Sequence, residues 1–339
     1  MLNPHPIVPA PLGTALTRML GCNYPIIAGP MFLISEENLV SAVVQAGATA
    51  AMPSLNWRTT ETFRAAIRQV KSRLGSHPFG VNLIVNKASP RAIPDLEVCA
   101  EEKVPFIITS LGNPKEVIRR MHEVGSKVFC DVTTLEYAKK VQDLGADAVI
   151  AVSSGAGGHA GPISPLVLIP YLKRNLRIPV IAAGGIATGE QMAAALILGA
   201  EGVQLGTRFI ATTEAKAGEA YKQAILNARP EDIVMTLKIS GTPAAVIRTP
   251  YIDRVGLDLS AAEKFLLKNR WTKKTMKLIR TLIGARALEK AASQTTWKEV
   301  WSAGQSSGLI DEVLPAGEVV TQLMTECHAA LNSRSRDPS

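Results

Sequence analysis

The chain has 339 residues, of which 47% are hydrophobic, and Lys plus Arg exceed Asp plus Glu to a formal net charge of +8. That length holds one large domain or two ordinary ones, and the apolar share suits a well-filled globular core. No apolar run approaches the roughly 20 residues of a membrane span, the start Met1-Leu2-Asn3-Pro4-His5-Pro6 reads as no secretory signal, and Cys22, Cys99, Cys130 and Cys327 lack the spacing of a zinc site or a disulfide framework.

Residues 1–20 are proline-rich and turn into a short helix-like lead-in. Pro25-Ile26-Ile27-Ala28 reads as a first buried strand, broken by Gly29-Pro30-Met31. Ser35 is expected to cap the helix that follows, with Glu36 and Glu37 in a first turn favoured by the helix dipole. That helix ends at Ala46-Gly47. The unit then recurs. Strands are expected over residues 48–52, 79–85, 106–109, 127–132, 147–152, 178–183 and 201–205. Helical patterns over 61–74, 94–102, 114–124, 135–144, 166–176 and 189–198 separate them. Each strand is short and almost continuously apolar, as in a parallel sheet covered by helices. Gly47, Gly125, Gly145 and Gly199 sit where a helix closes before the next strand.

Eight such units predict an α/β fold: a (β/α)8 TIM barrel with a smaller, mainly helical accessory domain. The expected divisions are a barrel over 1–214, a helical cap over 215–292, a return to the barrel over 293–330 and a flexible tail over 331–339. Within the cap, 240–256 reads as irregular. The basic excess is local. Residues 264–290 carry nine Lys or Arg against Glu289 alone, which equals the formal net charge of +8. The rest is near neutral, which argues against a nucleic-acid-binding protein overall. The basic segment is either a solvated helical face or a dock for an acidic partner or an anionic cofactor tail. Trp271, Trp297 and Trp301 read first as packing anchors.

In such a barrel the active site lies at the C-terminal ends of the strands. The candidates are Gly29-Pro30-Met31, Asn82, Asp131, the loop Ser153-Ser154-Gly155-Ala156-Gly157-Gly158-His159-Ala160-Gly161, Gly184-Gly185 and Gly206-Thr207. The last two follow the seventh and eighth strands, where barrels commonly bind phosphate on bare backbone N–H groups. They are alternatively tight turns that need glycine. Gly155-x-Gly157-x-x-Ala160 imitates a dinucleotide fingerprint, but it follows the sixth strand and lacks the later acidic residue for a ribose. His159 is a loop histidine that can act as base, acid or hydrogen-bond donor to a ligand in the barrel mouth. Neither a hydrolase nucleophile elbow nor a metal-spaced second histidine accompanies it. Asn82 offers a donor and an acceptor to the edge of a heterocycle, or else caps a turn.

Ala28-Gly29-Pro30-Met31, Gly80-Val81-Asn82, Gly157-Gly158-His159-x-Gly161, Ala182-Ala183-Gly184-Gly185-Ile186 and Gly206-Thr207-Arg208-Phe209 occur in this order. The sequence thereby resembles the nitronate monooxygenase family, formerly called 2-nitropropane dioxygenases. FMN-dependent enoyl-acyl-carrier-protein reductases share much of the pattern. The resemblance spans about residues 20–215 closely and 236–325 more loosely. It implies FMN in the barrel, with its phosphate on Gly184, Gly185, Gly206 and Thr207. It implies Pro30, Met31 and Asn82 at the isoalloxazine, with Ala28, Gly29, Gly157, Gly158, Ala183 and Leu205 in the cofactor surround. His159 becomes the catalytic histidine. Asp131 stands where some relatives carry a lysine near the flavin. Gly155 stands where some carry an acid.

The expected activity is oxidation of alkyl nitronates, with dioxygen reoxidising FMN. The alternative is an NAD(P)H-dependent FMN reductase acting on a quinone or an enoyl thioester, with an acidic carrier protein docking at 264–290. A non-catalytic flavin protein and a flavin-free phosphate-sugar barrel complete the readings. A small-molecule substrate, no metal, no membrane, a cytoplasmic location and a homodimer are the remaining expectations.

Overall fold

The computed structural model describes residues 8–85, 89–238, 242–258 and 300–333. Its centre is a closed barrel of eight parallel strands. They are β1 (Ile26–Ala28), β2 (Thr49–Pro53), β3 (Gly80–Ile84), β4 (Phe106–Ser110), β5 (Lys127–Val132), β6 (Ala148–Val152), β8 (Val180–Ala183) and β9 (Gly202–Leu205). Closure comes from β1 pairing with β9 in the register Ile27↔Gln204 and Ala28↔Leu205. All eight expected barrel strands are present, each within a residue or two of its reading.

The barrel builds two cores because strand side chains alternate between faces. Ile27, Ala51, Phe106, Ile108, Phe129, Ala148, Ile150, Ile181 and Ala183 point inward and pack on one another. Phe106 and Phe129 stack across β4 and β5 with ring centroids 5.3 Å apart. Their alternates, such as Ile107, Val128, Cys130, Val149 and Val203, face outward into the layer under the helices. Each fully buried Leu, Ile or Phe contributes roughly 1.5–3 kcal/mol of transfer free energy.

The bottom of the barrel is plugged. The lead-in forms the helix Ala15–Leu20, closed at its start by a capping box of Thr14 and Thr17. Leu16 belongs to the inner core, and its Cδ2 lies 2.4 Å from where a side chain at Gly202 would begin, so only glycine fits there. The Ala15 N–H donates to Glu201 Oε2 over 2.7 Å and pins the plug to β9. With that end sealed, the opposite end is the open one.

Three features differ from the sequence reading. Ser35 does not cap its helix. The helix is Glu37–Gln45, its N-cap is Glu36, and no side chain caps it. Ser35 instead donates to Gly29 O over 2.9 Å and accepts from the Met31 N–H over 3.0 Å. One hydroxyl can do both, and here it stitches the loop after β1. The accessory region contains strands as well as helices. β10 (Ile233–Thr236) and β11 (Ala244–Ile247) form an antiparallel pair, followed by the helix Pro250–Val255. The third feature is β7 (Gly158–His159), which adds to the edge of β11 through Ala245↔Gly158 and Ala244↔His159. Residues 264–290, with Trp271 and Trp297, lie outside the described residues.

Farther on, the helix Ala316–Ser333 packs against the helices Gly189–Ile197 and Glu37–Gln45. Glu326 Oε2 accepts the Gly189 N–H over 2.7 Å. Among the described residues no helix is long and apolar enough to cross a membrane.

Candidate active site

The strand alternation that orders the core also decides what faces the mouth. Phe129 points inward and Cys130 outward, so Asp131 points inward again. By the same count Asn82, Ser110 and Gln204 reach the top of the lumen. Hydrogen bonds agree with this phase. Asn82 Nδ2 donates to Ile108 O over 3.1 Å and to Ser110 Oγ over 2.8 Å. Ser110 in turn donates to Asp131 Oδ2 over 2.5 Å. Three neighbouring strands thus present one relay, Asn82–Ser110–Asp131. Its direction is set: with both amide hydrogens taken, Asn82 turns its acceptor oxygen away from the relay.

Two acceptors on this layer have no partner among the described residues. Asp131 Oδ1 and Gln204 Oε1 are buried without a hydrogen bond. Buried polar groups are normally satisfied, so two unsatisfied acceptors on one concave layer mark a place for ligand donors. Burial also pushes the Asp131 carboxyl from the ordinary 3.8 up to about 6, and the Ser110 hydroxyl offsets only part of that.

The other wall is built from backbone. Gly184 and Gly185 follow β8 with φ of +104° and +75°, a pair of left-handed residues that only glycine adopts without strain. Behind Gly184 the space is closed: a Cβ there would lie 2.9 Å from Ala156 Cβ, Ala156 N and Ser153 Oγ. In front of Gly185 it is open, with Ser154 O the nearest described atom at 4.0 Å. Gln191 Nε2 holds Gly185 O over 2.8 Å. Next to it, Gly206 precedes the short helix Thr207–Ile210. The Gly184 N–H faces Gln204 O at the end of the β8–β9 ladder, whereas no described backbone acceptor takes the N–H of Gly185 or Gly206. Open N–H groups brought together at neighbouring strand ends can form an anion-binding hollow. Thr207, buried, accepts the Gly304 N–H on its Oγ1 over 3.0 Å and keeps its own hydroxyl proton to donate.

The histidine loop leaves β6 between these walls. Ser153 is tied down by its N–H and its Oγ, both donating to Ala183 O, over 2.9 and 2.8 Å. Ser154 N–H donates to Ile163 O over 2.8 Å, which brings the loop back on itself. Gly304 and Gln305 lie against it: the Gln305 N–H donates to Gly155 O over 3.1 Å, and Gly157 has room for no side chain beside Gly304 N. His159 is exposed at the far end, in the strand that pairs with Ala244.

The expected site residues therefore sort by what they offer. Asn82 and Asp131 bring polar side chains to the mouth, and Gly184, Gly185, Gly206 and Thr207 bring backbone and hydroxyl. Gly29 faces Gln204, and Met31 Sδ lies 3.7 Å from a Cβ at Gly206, so the first loop borders the cradle. Pro30 is half-buried beside it. Ala183 lines the lumen. The side chains of Ala28 and Leu205 point outward into the core under the helices, so these two offer only backbone, and Leu205 O already takes the Gly29 N–H over 2.8 Å. Gly157 and Gly158 shape the histidine loop. Arg208, from the same motif as Thr207, is buried and donates to Glu312 O over 3.1 Å, which anchors the C-terminal segment.

Sequence reasoning passed over Ser110 and Gln204. Each is a polar residue of a mainly apolar strand, at the position where alternation points into the lumen. That signal was available once the inward phase of each strand was known.

The donor set fits FMN. The phosphate matches the open N–H groups and the Thr207 hydroxyl, and the N–H edge of the ring matches the unpaired acceptors of Asp131 and Gln204. Comparisons point the same way. The family described as nitronate monooxygenase matches residues 13–326. A nitronate monooxygenase of Pseudomonas aeruginosa is 31% identical, over 91% of this chain and 98% of its own. A (3aS,4S,5R,7aS)-5-hydroxy-7a-methyl-1-oxo-octahydro-1H-indene-4-carboxyl-CoA dehydrogenase of Mycobacterium tuberculosis is 31% identical, over 90% of this chain and 88% of its own. The structure of FabK from Thermotoga maritima is similar with a TM-score of 0.84 and 35% identity, covering 96% of this chain and 99% of that one. With its closed barrel, glycine cradle and polar mouth, this chain belongs to the nitronate monooxygenase family and is an FMN-dependent oxidoreductase.

Proposed function

We propose that this enzyme oxidises alkyl nitronates with dioxygen as the final electron acceptor, and that His159 acts on the substrate beside the flavin. The observation that carries the reading is the barrel mouth, where open backbone donors at Gly185 and Gly206 share one rim with unpaired acceptors at Asp131 on β5 and Gln204 on β9. FMN, when bound, supplies a two-electron acceptor that dioxygen can regenerate.

The chain's own residues do the rest. Gly184, Gly185, Gly206 and Thr207 hold the phosphate at the ends of β8 and β9. Asn82, Asp131 and Gln204 orient the ring by accepting from its edge. His159 reaches the substrate from a loop anchored at Ser153 and braced by Gly304. As imidazolium it pairs with the nitro oxygens of an anionic nitronate, and as the free base it takes a proton from the carbon of a neutral nitroalkane. Pairing of β7 with β11 sets the accessory sheet beside this histidine, so that sheet holds the end of the loop that carries His159.

The test is oxygen uptake with an alkyl nitronate as sole reductant. His159→Ala should take up FMN as the wild type does and lose turnover by about 10²–10⁴-fold, the usual contribution of a positioned acid or base. Retained turnover in that variant would remove His159 from the chemistry.

A second reading is favoured by one finding. The Mycobacterium tuberculosis relative carries a CoA thioester in its name and is as similar to this chain as the nitronate monooxygenase is. In that reading NAD(P)H reduces the flavin, the substrate is a thioester, and the basic segment 264–290 takes an acidic carrier or nucleotide phosphates.

A further inference from the structure

Among the described residues at the mouth, Asp131 is unusual because it carries a charge of its own on the wall facing the glycine cradle. Its neighbours there, Asn82 and Ser110, are neutral. One carboxylate oxygen takes the Ser110 hydroxyl and the other is buried with no described partner. Around it, β4 contributes Ser110 and β6 contributes Ile150 and Val152, none of them charged. Two titratable groups stand near. Burial pushes the Cys130 thiol up to about 12, and burial, with Cys130 and Asp131 beside it, raises the Tyr137 phenol. Both are neutral near pH 8, and among the described residues no cation acts on the Asp131 carboxyl.

We propose that Asp131, oriented by Ser110, sets the redox balance of the bound cofactor by weakening the hold of the site on the reduced form. This rests on the FMN reading above. Adding two electrons and one proton to the oxidised isoalloxazine leaves one extra negative charge on the ring. An ionised carboxylate on the same wall opposes that charge. At an effective dielectric of about 20, two unit charges shift an equilibrium tenfold out to a separation of about 12 Å. The oxidised ring carries no such charge and meets Asp131 through hydrogen bonding alone. The consequence for catalysis is a reduced enzyme that gives up its electrons readily to the final acceptor.

The relay explains why Ser110 matters. Its hydroxyl accepts from Asn82 and so directs its proton at Asp131, which stabilises the carboxylate. Ser110 is therefore a positioning residue that keeps the charge on Asp131 at a pH where burial would otherwise remove it.

The experiment uses the full-length protein loaded with FMN, as wild type, Asp131→Asn and Ser110→Ala. The affinity for oxidised FMN is read from flavin fluorescence. The midpoint potential is read by slow enzymatic reduction against a reference dye, at several values between pH 5 and pH 8. At pH 8, Asp131→Asn should raise the ratio of reduced to oxidised affinity at least tenfold, which is about 30 mV more positive for a two-electron couple. Below pH 6 the gap should close, because the wild-type carboxyl is then protonated. Ser110→Ala should move that crossover to higher pH. Equal potentials for wild type and Asp131→Asn at pH 8, with FMN bound to both, would overturn the inference and leave the cofactor reading standing. A wild type that takes up no FMN would overturn both. Should Asp131→Asn fail to hold FMN, a potential-against-pH curve of Ser110→Ala that bends at the same pH as the wild type's would overturn the inference.

Discussion

Alanine at Gly185 separates the cost of the backbone from the cost of losing the ligand. Gly185 has φ +75°, and the nearest described atom to its missing Cβ is Ser154 O at 4.0 Å. An alanine there meets no clash, so its cost to folding is that of a left-handed L-residue, about 1–2 kcal/mol. The new methyl points into the mouth, where the account places the phosphate. Displacing the anion from one backbone N–H forfeits a charge-assisted hydrogen bond of about 1.5–3 kcal/mol, or roughly 10- to 150-fold in affinity. Gly184→Ala is the contrast, because its Cβ would lie 2.9 Å from three atoms of the histidine loop, so folding itself should suffer more. The assay pairs urea denaturation of the apo protein with titration of FMN by fluorescence. Gly185→Ala should lose little stability and at least tenfold in FMN affinity. Unchanged affinity in a folded Gly185→Ala protein would refute the phosphate assignment, and so would a stability loss well beyond 2 kcal/mol, which would make Gly185 merely structural.

Other outcomes follow from the same geometry. Leu16 is 1% exposed in the plug under the barrel, so Leu16→Ala should cost about 2–5 kcal/mol in denaturant unfolding and leave the FMN affinity of the folded protein unchanged. Asp131 gives a pH signature in the apo protein. Its carboxyl is raised from 3.8 to about 6 by burial, so the folded state binds that proton more tightly than the unfolded chain does. Its contribution to stability therefore falls as pH rises from about 4 to about 6 and stays low above that. Apo Asp131→Asn should be more stable than wild type at pH 7, by about 1–3 kcal/mol, with the advantage gone at pH 4. A constant difference across that range would contradict the burial argument.

The barrel could be read from the sequence because its signal is repeated. Eight short apolar runs separated by helical patterns allow few other architectures, and closing glycines such as Gly145 and Gly199 mark the same helix-to-strand turn twice; both have positive φ, +96° and +101°. Asn82 and Asp131 stood out as polar residues at strand ends. Ser110 and Gln204 did not, for a physical reason. Strands buried on both faces carry no alternating pattern, so nothing local says which residues look into the lumen. That phase is fixed by pairing around the whole barrel, as when Phe129 meets Phe106 inside and sends Cys130 outward. Ser35 misled for the opposite reason. A serine ahead of a helix is a good cap, but a competing pair of loop partners, Gly29 O and Met31 N, took its hydroxyl. The small sheet at the histidine loop was hidden because a two-residue strand, Gly158–His159, has no periodicity at all. Its existence depends on β11, some 85 residues further along the chain.

The most direct test of the proposed function is anaerobic reduction of the FMN-loaded protein, followed through the flavin absorbance. An alkyl nitronate, NADPH and NADH are each added in separate runs. The account predicts rapid bleaching by the nitronate, an unchanged band with either nucleotide, and recovery of the band when air is admitted. Rapid bleaching by NADPH or NADH, with the nitronate inert, would contradict it and move the enzyme to the thioester or quinone reductases.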